Sequence, residues 1–266
     1  PPPVLFVDGS PEPLPPPGSC VAIVGSRRCT EQGLWAARDL AWGLARQGVV
    51  VVSGLALGID TAAHEGALDA GGRTLAVLAS PVTAPSPPRN RALGAELARE
   101  GGWLVSERAP GARVRPADFP RRNRLVAGLA SVLLVVEAGV RSGTMSTVGH
   151  ALALGREVAA VPGGITSPAS VGSNRLLGHG AHVVTSVGDV LALLGRPSIS
   201  REAQSPAEGD PAEVRVLAGL ASACGSVGRW VQASGLPAPE ARAALARLEV
   251  RGVLRRLQGG RLARVL

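Results

Sequence analysis

The residues with the clearest chemistry in this chain are Phe119-Pro120-Arg121-Arg122-Asn123-Arg124. The sequence has 2 phenylalanines, 4 tryptophans and no tyrosine, so an aromatic ring placed among three arginines is unusual for it. A flat apolar ring beside positive charge is suited to an unpaired nucleic-acid strand, because the ring stacks on a base while the cations attract phosphates. The same six residues also fit a helix start whose phenylalanine packs inward and whose arginines are solvated.

The loop that leads into this motif is strongly basic. From Glu107 to Arg124 it holds two acids against six arginines, namely Arg108, Arg113, Arg115, Arg121, Arg122 and Arg124. The whole chain has 28 basic residues, all of them arginine, and a net charge of +8, which indicates a polyanionic partner. Because there is no lysine, a Walker-type phosphate loop and a Schiff-base lysine are both excluded.

Short apolar runs alternate with helical stretches from Cys20 onward, and 45% of the 266 residues are hydrophobic. Wholly apolar strands separated by helices predict a parallel sheet covered on both faces. We therefore expect an α/β fold, an extended Rossmann-like doubly wound sheet over residues 19–195. The predicted strands are Val21–Val24, Val49–Val52, Thr74–Ala79, Trp103–Ser106, Val132–Glu137, Val158–Val161 and His182–Val184.

Ligands of such sheets bind at the carboxyl ends of the strands, so the loops that leave the strands are candidate sites. Gly25-Ser26-Arg27-Arg28 follows the first strand and precedes a helix that Thr30 caps. It is not a dinucleotide fingerprint, since Arg27 stands where the second glycine belongs. A small-residue turn with an arginine suits a phosphate, although a plain tight turn with surface arginines has the same sequence.

A second such loop, Ser142-Gly143-Thr144, opens the helix after the Val132 strand. Together with Gly25–Arg28 and the Phe119 motif, it predicts a pocket at one sheet edge, rimmed by arginine and holding one aromatic face.

Two acidic residues and a histidine are interpreted as structural. Asp60 and His64 lie four residues apart on one face of a predicted helix. A catalytic Asp–His pair has no serine or cysteine nucleophile spaced to join it, so we expect a structural hydrogen bond that holds the glycine-rich turn 53–58. Glu137 is expected to orient arginines in the pocket. The sequence predicts no catalytic residue, no metal site and no cofactor.

The two ends of the chain have their own composition. Residues 1–18 contain eight prolines and predict an extended linker or N-terminal extension, and residues 196–212 predict a second linker. Residues 213–266 predict three short helices and a hairpin, a winged-helix domain whose recognition-type helix is Pro239–Arg251. Arg242, Arg247 and Arg251 are expected on one solvated face of it, and duplex DNA and a protein remain alternative partners.

The three cysteines are scattered, which predicts neither disulfides nor a metal site. The first residues have no basic region followed by a long apolar stretch, and no apolar run reaches membrane-spanning length. We therefore expect no signal peptide, and a cytoplasmic protein with no membrane partner.

Five ordered motifs resemble the DNA-processing protein A family (DprA, also called Smf). They are Val24-Gly25-Ser26-Arg27, Ser53-Gly54-Leu55-Ala56-Leu57-Gly58-Ile59-Asp60 with Ala63-His64, Phe119-Pro120-x-Arg122-Asn123-Arg124, Ser142-Gly143-Thr144 and Val161-Pro162-Gly163. The resemblance covers residues 19–195 and implies a non-enzymatic protein that binds single-stranded DNA, forms a homodimer and loads the RecA recombinase in natural transformation.

By the same resemblance, Arg27 would grip backbone phosphate and Phe119 would stack on or wedge beside a base. The run Arg121–Arg124 and the loop Ser142–Thr144 would complete the pocket. For the dimer interface, the apolar helix around Leu176-Leu177 is the candidate.

An enzymatic alternative is a Rossmann enzyme of the phosphoribohydrolase (lysine decarboxylase-like) type. Its signature, Pro-Gly-Gly-x-Gly-Thr-x-x-Glu, resembles the segment from Gly143 and Thr144 to Thr147. Thr147 stands in place of the glutamate, so the segment lacks the acid/base group that the hydrolytic mechanism needs.

Overall fold

A computed structural model of the chain describes residues 2–139, 142–196, 210–218, 224–256 and 260–264. The chain divides into two compact units, Pro1–Ser198 and Ile199–Leu266. The first unit carries the predicted α/β fold, and the second carries the winged helix.

The first unit is built on a mostly parallel sheet whose eight described strands lie in the order β1-β5-β4-β3-β2-β6-β7-β8. All pairs are parallel except the antiparallel pair of β1 with β5. The strands are β1 Phe6–Gly9, β2 Cys20–Val24, β3 Val50–Ser53, β4 Thr74–Leu78, β5 Trp103–Ser106, β6 Val132–Val135, β7 Glu157–Ala160 and β8 His182–Val183.

Seven helices connect or follow these strands in the described part of this unit. They are α1 Glu31–Arg46, α2 Ile59–Asp69, α3 Arg91–Arg99, α4 Asp118–Gly128, α5 Thr144–Ala153, α6 Val171–Gly178 and α7 Val187–Leu193. The side chain of Thr30 accepts a hydrogen bond from Gly33 N at the start of α1, which confirms the predicted cap.

The sheet is covered on both faces, as its uniformly apolar strands require. On one face the core packs against α4, α5 and α6 through Leu125, Val148 and Leu176. On the other face Leu97 of α3 joins Leu78 and Leu104 in a second core. The chain order reverses at β2, because β3 lies on one side of it and β6 on the other. The loops after β2 and β6 therefore meet at a topological switch point, where such folds bind ligands.

One feature differs from the sequence-based expectations. The proline-rich segment 1–18 is not only a linker, since Phe6–Gly9 pairs with β5 and extends the sheet. On α6, Leu176 is buried in the core and Leu177 is partly buried against it, and a dimer interface around this helix stays a prediction.

The second unit has three described helices and a three-stranded sheet. The elements are α8 Pro211–Ala218, β9 Cys224–Ser226, α9 Val227–Ser234, α10 Ala238–Val250, β10 Leu254–Arg256 and β11 Arg261–Arg264. Trp230 lies at the centre of its core with Leu245 and Leu248 of α10. The hairpin pairs antiparallel as predicted, and β9 adds a strand that the sequence did not suggest. The predicted linker 196–212 falls largely outside the described residues.

Candidate nucleic-acid interface

A cleft of about 720 Å³ opens at the carboxyl edge of the sheet. The loops after β2, β3 and β6 form its floor, and the start of α4 forms one wall. Its lining includes Gly25, Ser26, Arg27, Arg28, Phe119, Arg122, Asn123, Ser142, Gly143 and Thr144, all predicted from the sequence. It also includes Gly54, Ala56, Asp60, Pro116, Val126, Gly139 and Thr147, which were not predicted as site residues. The glycine-rich turn after β3 was the signal that could have identified the first three of these.

The loop after β2 is held tightly, while its two arginines reach outward. Ser26 N donates to the carbonyl of Glu137 at 2.8 Å, and Ser26 Oγ accepts from Arg28 N at 3.1 Å. A Cβ at Gly25 would lie 2.5 Å from Cγ1 of Ile59, so only glycine fits there. Arg27 and Arg28 are exposed, and neither forms an ion pair with a described residue.

Glu137 braces this loop rather than orienting arginines, so that prediction is wrong. Its carboxylate accepts from Thr30 Oγ1 at 2.5 Å and from Thr30 N at 2.9 Å. The carboxyl group therefore ties the end of β6 to the start of α1 across the switch point. A Cβ at position 33 would lie 2.4 Å from Cδ of Glu137, so a larger residue there would displace the carboxyl group that binds Thr30.

Phe119 lies in the first turn of α4 with its ring half-buried against the cleft. The guanidinium carbon of Arg27 is 5.3 Å from the ring centroid, which is cation–π distance. The ring is outside the described apolar cores, so it is not the inward-packed helix start that the sequence also allowed.

Arg122 has a different position from its neighbours in the motif, because it is buried with 7% of its surface exposed. Its Nη1 donates to the carbonyl of Gly54 at 2.6 Å and to that of Val77. Burial lowers the pKa of Arg122 to about 10, and it remains protonated at neutral pH. The side chain thus fastens α4 to the ends of β3 and β4, a bracing role that the sequence did not indicate.

Asp60 holds the glycine-rich turn after β3 by hydrogen bonds, as predicted, and His64 takes no part in them. Asp60 Oδ2 accepts from Gly54 N at 3.1 Å and from Ala56 N at 3.3 Å. Burial raises the pKa of this carboxyl group, while the nearby positive charge of Arg122 acts in the opposite direction.

His64 instead pairs with Thr74, whose Oγ1 lies 2.8 Å from His64 Nδ1. Thr74 Oγ1 also donates to the carbonyl of Val51 at 2.6 Å, so it must accept from the imidazole, and the proton lies on Nδ1. Burial and then the charge of Arg122 lower the pKa of His64 to about 3, which keeps the ring neutral.

The remaining predicted arginines fall into two groups. Arg108 forms an ion pair with Asp118, and Arg124 forms one with Glu107. Arg113, Arg115 and Arg121 are exposed and form no ion pair with a described residue. Arg115, Arg121 and Arg124 do not line the main cleft, and Arg121 borders a small neighbouring cavity of about 80 Å³.

The loop before α5 completes the cleft. Ser142 Oγ donates to Thr144 Oγ1 at 2.9 Å and accepts from Thr144 N at 3.2 Å. Asn123 Nδ2 donates to the carbonyl of Gly143 at 3.4 Å, which links α4 to this loop. A Cβ at Gly143 would meet no atom within 4 Å, so this part of the cleft is open.

Comparison with known proteins identifies the chain's relatives. Residues 1–195 match the model of DNA recombination-mediator protein A, and residues 200–260 match that of the DprA winged helix domain. The chain belongs to the DprA family. The two matches cover the unit that carries the α/β sheet and most of the winged-helix unit.

Relatives in the DprA family are similar over most of this chain. A putative DNA processing protein DprA of Mycobacterium tuberculosis is 43% identical over 242 residues, covering 87% of this chain and 61% of that protein. DprA of Streptococcus pneumoniae is 42% identical over 172 residues, covering 65% and 60%. The chain thus spans about three-fifths of the length of these curated relatives.

Two solved DprA structures share the fold. That of S. pneumoniae superposes with a TM-score of 0.66 at 40% identity, covering 71% of this chain and 65% of the other. DNA processing protein A of Helicobacter pylori, described for its single-stranded DNA binding mode, gives 0.66 at 31% identity, covering 73% and 87%.

In the winged-helix unit of this DprA-family chain, Arg242, Arg247 and Arg251 are all exposed, as predicted for a solvated face. Two of them are also ion-paired, because the buried carboxylate of Glu213 on α8 lies 3.0 Å from Arg247 and 2.5 Å from Arg251.

Within the described residues, no helix is both long and apolar enough to cross a bilayer. Nor do these residues contain a cluster of histidine, cysteine and acidic side chains that suits a metal ion.

Proposed function

We propose that the chain binds single-stranded DNA in the cleft at the carboxyl edge of the sheet. The observation that carries this proposal is the half-buried ring of Phe119 beside Arg27, in a cleft whose outward arginines lack described acidic partners. A ring with nearby unpaired cations supplies stacking for a base and attraction for phosphates, which are the two contributions that bind an unpaired strand. The described binding of single-stranded DNA by the H. pylori relative supports the same function.

The cleft residues divide into contacts and supports. Arg27, Arg28, Phe119 and the loop Ser142–Thr144 face the cleft and contact the strand, and Arg115 and Arg121 attract it from the outside. Arg122 and Asn123 hold α4 against the loops, and the ion-paired Arg124 adds little free charge.

Binding is tested by titrating a fluorescein-labelled single strand and a matched duplex against the full chain. We expect tighter binding of the single strand and a log–log salt slope of about −0.7 for each phosphate contacted. Equal affinity for both forms, or a flat salt response, would count against the cleft.

We further propose, from the family resemblance, that the chain acts as a homodimer and delivers its strand to RecA, without enzymatic activity of its own. Delivery is measured by the time course of ATP hydrolysis by RecA on a single strand that is already covered by single-strand-binding protein. We expect the chain to shorten the lag before hydrolysis begins. If the chain binds DNA and the lag is unchanged, delivery to RecA is refuted while DNA binding stands. Light scattering of the purified protein in solution gives its molar mass, and hence its oligomeric state.

Among the described residues, the cleft offers no available carboxylate for the phosphoribohydrolase alternative. Asp60 accepts from two backbone amides, Glu137 is engaged by Thr30, and Thr147 lines the wall without an acidic group. We expect no release of base from a nucleoside monophosphate.

For the winged-helix unit, the pairing of Arg247 and Arg251 with Glu213 favours contact with a protein over contact with duplex DNA. Reversing the exposed charge with Arg242→Glu tests this choice. Unchanged duplex affinity is expected, and a large loss would favour duplex binding through α10.

A further inference from the structure

One apolar side chain near the cleft has no partner among the described residues. Ile165 is 93% exposed, the highest value of the large apolar side chains in the described part of the chain. It lies in the loop 161–170 between β7 and α6, which includes the Val161-Pro162-Gly163 motif. Exposed apolar residues are common singly, so the position of Ile165 must decide whether it has a role.

The loop that carries Ile165 is firmly held. Gly163 N donates to Asn174 Oδ1 and Asn174 Nδ2 donates to the carbonyl of Gly163, both at 3.0 Å. Ser167 N donates to the carbonyl of Gly164 at 3.0 Å, which places Ile165 at the second position of a tight turn. The backbone of a braced turn loses little conformational freedom on binding, so ordering the exposed side chain of Ile165 is the main entropic cost of a contact there.

The loop lies at the same edge of the sheet as the cleft and touches its wall. β7 is parallel to β6, and Val161 N continues this pairing by donating to the carbonyl of Val135 at 2.9 Å. At the other end of the loop, Gly172 N donates to the carbonyl of Ala138 at 2.6 Å. A Cβ at Gly139, which lines the cleft, would lie 3.8 Å from the carbonyl oxygen of Pro168. A strand that left the cleft on this side would therefore meet the loop.

The chain segment that contains this loop has no acidic residue, which is compatible with a polyanionic ligand. No aspartate or glutamate occurs between Glu157 and Asp189, so a phosphate backbone meets no carboxylate along this segment. An aliphatic side chain contacts the face of any base, which is compatible with binding that does not depend on sequence.

We propose that the loop 161–170 is a second contact site for single-stranded DNA, in which Ile165 packs against the unpaired base of a nucleotide next to those in the cleft. This proposal rests on the proposed function of the cleft. It extends the strand's path from Phe119 past Gly139 to the β7 edge of the sheet.

The experiment measures binding of labelled oligothymidylates of about 4, 8, 12 and 20 nucleotides, which span the site sizes of single-strand-binding folds. Ile165→Ala should weaken binding of the longer strands about threefold to tenfold, less than loss of a stacking ring, and leave the shortest strand unaffected. Ile165→Phe should tighten binding of the longer strands. Phe119→Ala should weaken binding at every length.

Leu154→Ala is the matched control. Leu154 is 51% exposed and follows α5, which runs from the cleft to the opposite edge of the sheet, so this variant should bind all lengths as the wild type does. The proposal is overturned if Ile165→Ala binds every length normally. It is also overturned if that variant changes only the oligomeric state, since the loop would then contact a second copy of the chain. If the wild type binds no strand of any length, the cleft's proposed function fails, and this extension fails with it.

Discussion

The guanidinium carbon of Arg27 lies 5.3 Å from the centroid of the Phe119 ring, so the loop after β2 and the first turn of α4 meet across the cleft. The two residues are far apart in sequence and belong to different walls. In the proposed function, a base that enters the cleft either displaces the guanidinium and stacks on the Phe119 ring, or stacks on the guanidinium itself. Both arrangements use Arg27 and Phe119.

Removing the ring tests stacking directly. We expect Phe119→Ala to weaken single-strand binding by about 1–3 kcal/mol, the range found for a base on an aromatic side chain. Phe119→Trp should keep most of the affinity, because it preserves an aromatic face. Fluorescence anisotropy measures both. Normal affinity in a folded Phe119→Ala protein would assign the ring a packing role only.

Arg27 should contribute charge as well as geometry. Arg27→Ala should lower the affinity and reduce the magnitude of the log–log salt slope by about 0.7, the value for one lost phosphate contact. Its melting temperature should not change, since the side chain is exposed and forms no described ion pair. Arg99→Ala is the control, because Arg99 is exposed at the end of α3 and pairs with Glu100. A large loss of stability with normal binding would show that Arg27 is structural.

Arg122 should matter for stability more than for contact with DNA. Arg122→Ala removes the hydrogen bonds that Nη1 donates to the carbonyls of Gly54 and Val77, and it leaves the buried Asp60 without its neighbouring positive charge. We expect a loss of about 3–5 kcal/mol in the free energy of unfolding, as for a broken buried charge pair. Urea denaturation measures this loss. The control is Arg121→Ala, which removes the exposed neighbouring arginine and should unfold at the same urea concentration as the wild type. Equal midpoints for the two variants would contradict the bracing role.

Gly143 offers a test of the cleft's shape. Since a Cβ there meets no atom within 4 Å, Gly143→Ala should fold normally and narrow the cleft where the strand enters. We expect weaker binding of single-stranded DNA at an unchanged melting temperature. Gly149→Ala adds the same methyl group on α5 at an equally open position outside the cleft lining, and its binding should match the wild type. Identical affinities for both variants would place the strand away from Gly143.

The buried His64 should make the fold sensitive to acid. Its folded pKa of about 3 lies below the ordinary value of 6.5, so the unfolded chain binds the proton more readily. The stability that neutral His64 contributes is present above pH 6.5 and is lost as the pH falls toward 3, at ~1.4 kcal/mol per pH unit.

His64→Asn supplies the comparison, because its amide can still donate to Thr74 and does not titrate. Urea unfolding of both proteins between about pH 6.5 and pH 5 should show a steeper loss for the wild type. Parallel curves would mean that His64 is protonated in the folded state. The raised pKa of Asp60 acts in the opposite sense, but both proteins retain Asp60, so the difference between them isolates the histidine.

The sequence by itself determined most of the succession of strands and helices along the chain, because apolar runs and helix caps such as Thr30 are local patterns. It did not predict β1 or β9, and the order of the strands in the sheet came only from the structure. It also identified the loops Gly25–Arg28 and Ser142–Thr144, since strand ends of a parallel sheet converge on one edge. The tertiary structure alone decided which charges are free. Arg122 bonds Gly54 and Val77, Arg124 pairs with Glu107, and Glu137 turns to Thr30 across 107 residues of chain. Burial and pairing depend on these long-range contacts. They decide which arginines of the Phe119 motif hold the cleft together and which remain exposed to a ligand.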